Sequence, residues 1–167
     1  MTHDVDPNEG EKPKAKRAAG FQPSLKGRAL RLLAMREHTR TELEQKLARH
    51  DPDPDELRLA LDDLQAKGFI SEARVVESVL HSRGSRLGAR RVRQELQAKG
   101  VSAEALALAM DQLRTTELDR ARSVWRKKFG QLATEPKERA RQARFLLTRG
   151  FGAEVVRRVT QSDDEAL

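Results

Sequence analysis

Two hexapeptides fifty residues apart constrain the fold more than any other part of the sequence. Lys99-Gly100-Val101-Ser102-Ala103-Glu104 is answered by Arg149-Gly150-Phe151-Gly152-Ala153-Glu154. In each, a glycine ends a run whose apolar residues recur at helical spacing. Lacking a Cβ, it takes the left-handed backbone conformation that stops a helix without steric cost. The apolar residue after it packs back under the finished helix. A glutamate then stands near the start of the next amphipathic run, where its charge suits the helix dipole. Each hexapeptide is thus a tight joint between two helices, and repetition at such a period predicts tandem helical modules.

The rest of the chain divides around these joints. Residues 1–23, with Pro7, Gly10, Pro13 and Gly20 and no apolar period, read as a disordered arm. A first module spans residues 24–70. Leu25, Ala29, Leu32 and Leu33 stripe its first helix, and Thr39 with Glu42 has capping-box spacing for a second that buries Leu43 and Leu47. Asp53-Pro54-Asp55-Glu56 opens a third helix, which buries Leu57, Leu61 and Leu64 and stops at Gly68. The second module, residues 71–114, repeats the order. Ser71 caps a helix with Val75, Val76, Val79 and Leu80 inside; a basic loop from Arg83 to Gly88 precedes a helix with Val92 and Leu96. The Gly100 joint then leads to Leu106, Met110 and Leu113.

The third module, residues 115–161, opens near Thr116 and places Ala121, Val124, Trp125 and Phe129 on one face. A helix from Pro136 carries Ala143, Leu146 and Leu147, and the last buries Val155, Val156 and Val159; residues 162–167 form an acidic tail. The expected fold is all-α: three tandem three-helix modules in an elongated array. Composition agrees, because 37% hydrophobic and 4% aromatic residues against 35% charged would starve one thick core but can supply thin helical modules.

The residue types for catalysis are not assembled. The chain has no cysteine, which removes disulfides and thiolate metal sites and is compatible with a reducing compartment. His3, His38, His50 and His81 stand on separate segments without metal-ligand spacing. Gly84-Ser85-Arg86-Leu87-Gly88 is followed by Ala89 and Arg90 rather than the Lys-Ser or Lys-Thr of a phosphate loop. Asp62 and Asp63 diverge around a helix and lack an apolar setting that would raise a pKa. No run approaches the roughly 20 apolar residues of a bilayer span, nor is there a signal-peptide core. A cytoplasmic, monomeric protein without enzymatic activity, metal or cofactor is expected.

Charge points instead to binding. The net charge is +7, and it is unevenly placed. Between Thr41 and Ala66 acids outnumber bases, whereas Arg83, Arg86, Arg90, Arg91, Arg93 and Lys99 face Glu95 alone. Arg120, Arg126, Lys127, Lys128, Arg139, Arg141, Arg144 and Arg149 extend the positive field into the third module, and of these Arg126, Lys127, Lys128, Arg141 and Arg144 join the candidates. Taken singly, such charges are what any helical protein turns to water. Together they are the candidate partner- or DNA-binding residues, since guanidinium forks fit carboxylate and phosphate. Aromatic residues are too few for base stacking to be the obvious mode. One use of these cations is direct DNA binding through the helix of Arg90, Arg91 and Arg93.

A longer set of motifs resembles a known family. Leu64-Gln65-Ala66-Lys67-Gly68-Phe69-Ile70, Arg74, Ser82-Arg83, Gly88, Arg91-Val92-Arg93-Gln94-Glu95-Leu96 and Lys99-Gly100-Val101 resemble the RecX regulatory proteins, modulators of the RecA recombinase. Val124-Trp125-Arg126-Lys127-Lys128-Phe129-Gly130 and Lys137-Glu138-Arg139-Ala140-Arg141-Gln142-Ala143-Arg144-Phe145-Leu146 look like that family's third-module signature. The resemblance runs from about Ser24 to Gln161. It departs after Ile70: where the family usually has two acids or Asn-Asp and then Arg-Phe-Ala, this chain has Ser71-Glu72-Ala73 and Arg74-Val75-Val76. The resemblance implies a non-catalytic protein that binds RecA filaments on single-stranded DNA and inhibits their ATPase, strand-exchange and coprotease activities.

Overall fold

The computed structural model describes residues 23–161. The disordered arm expected over residues 1–23, all but Pro23, and the acidic tail of residues 162–167 lie outside the described residues. Within them the chain forms eight α-helices and no strand: α1 (Leu25–Met35), α2 (Arg40–Ala48), α3 (Pro54–Ala66), α4 (Glu72–Arg83), α5 (Ala89–Ala98), α6 (Ala103–Lys128), α7 (Pro136–Thr148) and α8 (Ala153–Gln161).

Local chemistry starts these helices where the residue pattern places them. Thr39 and Glu42 close a full capping box on α2, with the Glu42 amide donating to the Thr39 hydroxyl at 3.1 Å and the Thr39 amide to Glu42 at 3.0 Å. Asp53 accepts from the amides of Asp55 and Glu56, just ahead of Pro54 at the first helical position of α3. Ser71 caps α4 and Ser102 caps α6. The joints behave as drawn from the sequence: Gly100 and Gly150 hold φ of +74° and +89°, and the residues after them, Val101 and Phe151, are buried.

Three hydrophobic clusters follow in chain order. Ala29, Leu43, Leu47, Leu61, Leu64 and Ile70 form the first. The second gathers Val75, Val79, Val92, Leu96 and Val101 with Leu106, Ala109, Met110 and Leu113. The third contains Ala121, Val124, Trp125, Leu146, Phe151, Val156 and Val159. The array is therefore elongated, a row of thin cores rather than one thick one. Leu147, expected inside, is 42% exposed, because its neighbour Leu146 takes the inward direction of α7.

One element differs from expectation. The sequence pattern opens a new helix near Thr116, yet α6 runs unbroken for 26 residues, about 39 Å, and serves both the second and the third cluster. No glycine or proline interrupts Leu113 to Leu118. Thr115 and Thr116 turn their hydroxyls back along the helix, Thr115 to the Gln112 carbonyl at 2.9 Å and Thr116 to that of Leu113 at 3.5 Å. A shared rigid rod thus sets the geometry of the second module against the third.

Candidate functional site

The repeated hexapeptide has a second use that local periodicity does not reveal. In both copies the glycine presses on the second helix of the module before it. A Cβ at Gly100 would lie 2.8 Å from the Thr41 side chain on α2; one at Gly150 would lie 2.6 Å from the Arg91 side chain on α5. The carbonyl just ahead of each glycine is held by the start of that same helix. The Thr39 hydroxyl donates to the Lys99 carbonyl, and the Gly88 amide donates to that of Arg149 at 2.9 Å. Helix terminator and module connector are the same six residues.

Charged side chains complete the first seam. Glu42, on α2, accepts from Lys99 at 3.2 Å and from Arg36 at 2.9 Å besides closing its capping box. Burial pushes its carboxyl up, but the hydrogen bonds from Arg36, the Thr39 amide and Lys99 outweigh this and hold it at about 2. Arg74 pairs with Glu37 at 2.8 Å and donates to the carbonyls of Gly68 and Phe69. Glu72 receives the Ser102 amide at 2.6 Å and its hydroxyl at 2.8 Å, joining α4 to the start of α6. The two residues at the departure from the family pattern are built into the second module: Ser71 is a helix cap, and Val75 is fully enclosed in the core.

The depressed pKa of Glu42 has a definite sign in stability. A carboxyl that ionises more easily folded than unfolded stabilises fully above its ordinary value of 4.5, and that contribution is lost as pH falls toward about 2. Glutamine can keep the capping box but not the ion pairs. The advantage in melting temperature of the parent protein over Glu42→Gln, read by circular dichroism, is expected to disappear between pH 4.5 and 2. An advantage that persists at pH 2 would locate its source elsewhere.

At the second seam α6 supplies both signs of charge one turn apart. Glu117 Oε1 accepts the amides of Ala89 and Gly152, each at 3.3 Å, at the starts of α5 and α8. Arg120 donates to the carbonyls of Gly84 at 2.8 Å, Leu87 at 2.7 Å and Leu113 at 2.8 Å. Burial lowers its pKa from the usual arginine value. In the sequence Arg120 counts only as one cation of the positive field and Glu117 does not stand out, because charges four or fewer residues apart on a long helix look like ordinary solvated surface.

The sequence-derived candidates fall into two groups. Lys99 pairs with Glu42, Arg83 with Glu95 at 3.4 Å, and Arg141 with Glu138 at 3.4 Å; Arg91 donates to the Thr148 carbonyl at 3.3 Å. Arg86, Arg90, Arg93, Arg126, Lys127, Lys128 and Arg144 are exposed, and among the described residues none of their side chains has an ion pair. The first turn of α5 is covered by the third module, since the Arg90 amide donates to the Gly150 carbonyl at 3.2 Å. A recognition helix leads into the DNA groove with its amino-terminal residues, and this helix does not have that end free. The acid-rich front is also largely spent internally: Arg40 holds Glu44 and Asp62, while Lys26 and Lys67 hold Asp63.

Among the described residues no group of three or more histidine, aspartate and glutamate side chains could hold a metal ion, and no helix is long and apolar enough to cross a membrane. His38 is buried, with Nδ1 3.0 Å from the Arg36 carbonyl and its pKa lowered by burial, so it is a neutral packing residue.

Comparison with known proteins agrees along the whole array. Models of the first, second and third three-helix domains of RecX match residues 26–64, 71–110 and 115–160. The regulatory protein RecX of Leptothrix cholodnii is 57% identical over 143 residues, covering 86% of this chain and 91% of that protein. That of Ralstonia nicotianae is 43% identical with the same coverage. Among solved structures, a crystal structure of regulatory protein RecX matches with a TM-score of 0.68 at 20% identity, covering 83% of this chain and 72% of that one. RecX from Lactobacillus salivarius matches at 0.66 and 19% identity, covering 82% and 92%.

Proposed function

Because the chain belongs to the RecX family of regulatory proteins, we propose that it binds RecA-type recombinase filaments on single-stranded DNA and inhibits their ATPase, strand-exchange and coprotease activities. It acts as a cytoplasmic monomer, by surface contact and without converting a substrate. The observation that carries this reading is the match to all three family domains in order, over an array whose paired charges hold the modules together and whose unpaired cations face outward. A long, thin body with cations along it suits the groove of a charged helical filament better than a ball of the same mass would. The test is steady-state ATP turnover by RecA on single-stranded DNA as this protein is added. Turnover is expected to fall; unchanged turnover at saturating protein and low salt would sink the reading.

Arg90 and Arg93 carry the mutational form of the test, being exposed and unpaired on α5. Arg90→Glu with Arg93→Glu is expected to raise the half-inhibitory concentration about tenfold, the scale of losing one charge-assisted contact. Far-ultraviolet circular dichroism should not change. Loss of helix content would instead make the two arginines part of the fold.

A further inference from the structure

Where the second and third modules meet, a surface notch of about 420 Å³ gathers four cations from separate stretches of chain. Arg86 comes from the loop after α4, Lys127 and Lys128 from the last turn of α6, and Arg149 from the end of α7; no carboxylate lines the notch. The first module has a cationic notch too, with Arg31, Lys46 and Arg49 in its lining, but that one lies within a single module, whereas this one takes its cations from two. Helix ends explain part of this gathering, since the carboxyl-terminal dipoles of α6 and α7 favour cations at Lys127, Lys128 and Arg149. They do not explain Arg86. It is brought by a loop to a place where it meets only like charge.

That loop is fixed in advance. Arg120 ties down the carbonyls of Gly84 and Leu87, and the Gly88 amide holds the Arg149 carbonyl. Arg149 in turn donates to the Arg86 carbonyl at 3.4 Å, and its guanidinium lies 4.7 Å over the Phe145 ring, which meets Phe129 edge-on. Cations held close together without a counter-charge repel one another, and a bound anion removes that cost. Because Arg149 already covers Phe145, this ring is not a free platform for a base. The notch is open, with no enclosed pocket for a nucleoside, so it suits a backbone rather than a free nucleotide.

We propose that the notch binds the phosphodiester backbone of a single polynucleotide strand, and that the strand, touching both modules, ties them together. The proposal deepens the regulatory reading and rests on it for the strand's setting, but its test needs no recombinase. Binding of a labelled single-stranded oligothymidylate to the full chain is measured by fluorescence anisotropy over a salt series. Three proteins are compared: the parent, Arg86→Ser with Lys127→Ser and Lys128→Ser, and a control of equal net charge, Arg31→Ser with Lys46→Ser and Arg49→Ser, which line the cationic notch confined to the first module.

The seam variant is expected to bind at least tenfold more weakly, while the control stays within about threefold of the parent. The slope of log affinity against log salt should fall by about 2 in the seam variant, at roughly 0.7 per lost phosphate contact on a single strand. The strand should raise the melting temperature of the parent and not that of the seam variant. If the triple variant does not fold, Lys127→Ser alone carries the test, with about a third of the slope change. Parent-like binding by the seam variant, or equal weakening of seam variant and control, overturns the proposal. So does displacement of the strand by a mononucleotide at equal phosphate concentration. Failure of the regulatory reading looks different: the parent would bind the strand and leave RecA turnover unchanged.

Discussion

Gly88→Ala is expected to break the second seam. The residue's φ of −75° is open to any amino acid, so its need for glycine is a matter of space. A methyl group there would lie 2.2 Å from the Gly150 carbonyl carbon and the Phe151 nitrogen. Both are backbone atoms of the joint that Gly88 itself helps to hold, so no side chain can swing aside. Overpacking a core by a methylene costs about 1–3 kcal/mol, and relaxation usually limits it. Here relief requires parting two modules, with loss of the bonds from the Gly88 and Arg90 amides and of those that Glu117 receives from Ala89 and Gly152. A loss of about 3 kcal/mol or more is expected in denaturant unfolding, with faster hydrogen exchange at the Gly88 and Arg90 amides. Gly152→Ala is the matched control two residues beyond Gly150, because a methyl group there meets nothing within 4 Å. It should be nearly neutral. Equal losses in the two variants would show that the close approach at Gly88 does not govern the seam.

What the residue pattern revealed and what it hid follow one physical division. Caps, joints and buried stripes are local: Thr39 and Glu42 are three residues apart, Asp53 precedes Pro54, and Val92 and Leu96 share a helix face. Such spacing is visible along a chain. Lys99 and Glu42 are 57 residues apart, and Ala89 and Glu117 are 28 apart. Nothing in either neighbourhood announces the partner. Lys99 and Arg91 therefore read as free surface charge although each is tied into a seam. Arg120, which bonds three carbonyls, reads in the sequence only as one more cation of the positive field. Conversely, the residue pattern opens the third module near Thr116, and the continuous α6 runs straight through that position. The cations that remain free, Arg86 and Lys127 among them, are told apart from the paired ones only by the fold.

Those seams also change how the family-like motifs are understood. Arg74, Gly88 and the Lys99-Gly100-Val101 joint all lie where one helix or module meets the next. They hold a fixed arrangement of modules rather than reaching for a partner. Substituting them should disturb stability and any binding together, whereas substituting Arg90 or Arg93 should disturb binding alone. Helix content and unfolding free energy separate the two classes in a single set of proteins.

Trp125→Ala is expected to remove the anchor of the third module. The indole is 8% exposed, and its Nε1 donates to Gln142 Oε1 at 2.9 Å. Gln142, itself 5% exposed, passes its own donor to the Gln131 carbonyl at 3.0 Å, so one chain of bonds joins α6, α7 and the loop between them. Truncating a buried aromatic to alanine costs about 3–5 kcal/mol. Leaving a buried amide oxygen without its donor accounts for about 1–3 kcal/mol of such a loss. Trp125→Phe separates the two contributions, since the smaller ring keeps most of the apolar burial and makes no bond to Gln142. It should lose about 1–3 kcal/mol, and Gln142→Leu added to it should recover part of that loss. Because the second cluster has its own core from Val75 to Leu113, the alanine variant should melt the third module first. Helix signal and exchange protection would then vanish after about Leu113 while the amino-terminal half of α6 persists. Unfolding of all three modules in one step would mean that the shared rod couples them more tightly than their separate cores allow. A loss below about 1 kcal/mol in urea would show that the indole is not what fills this core.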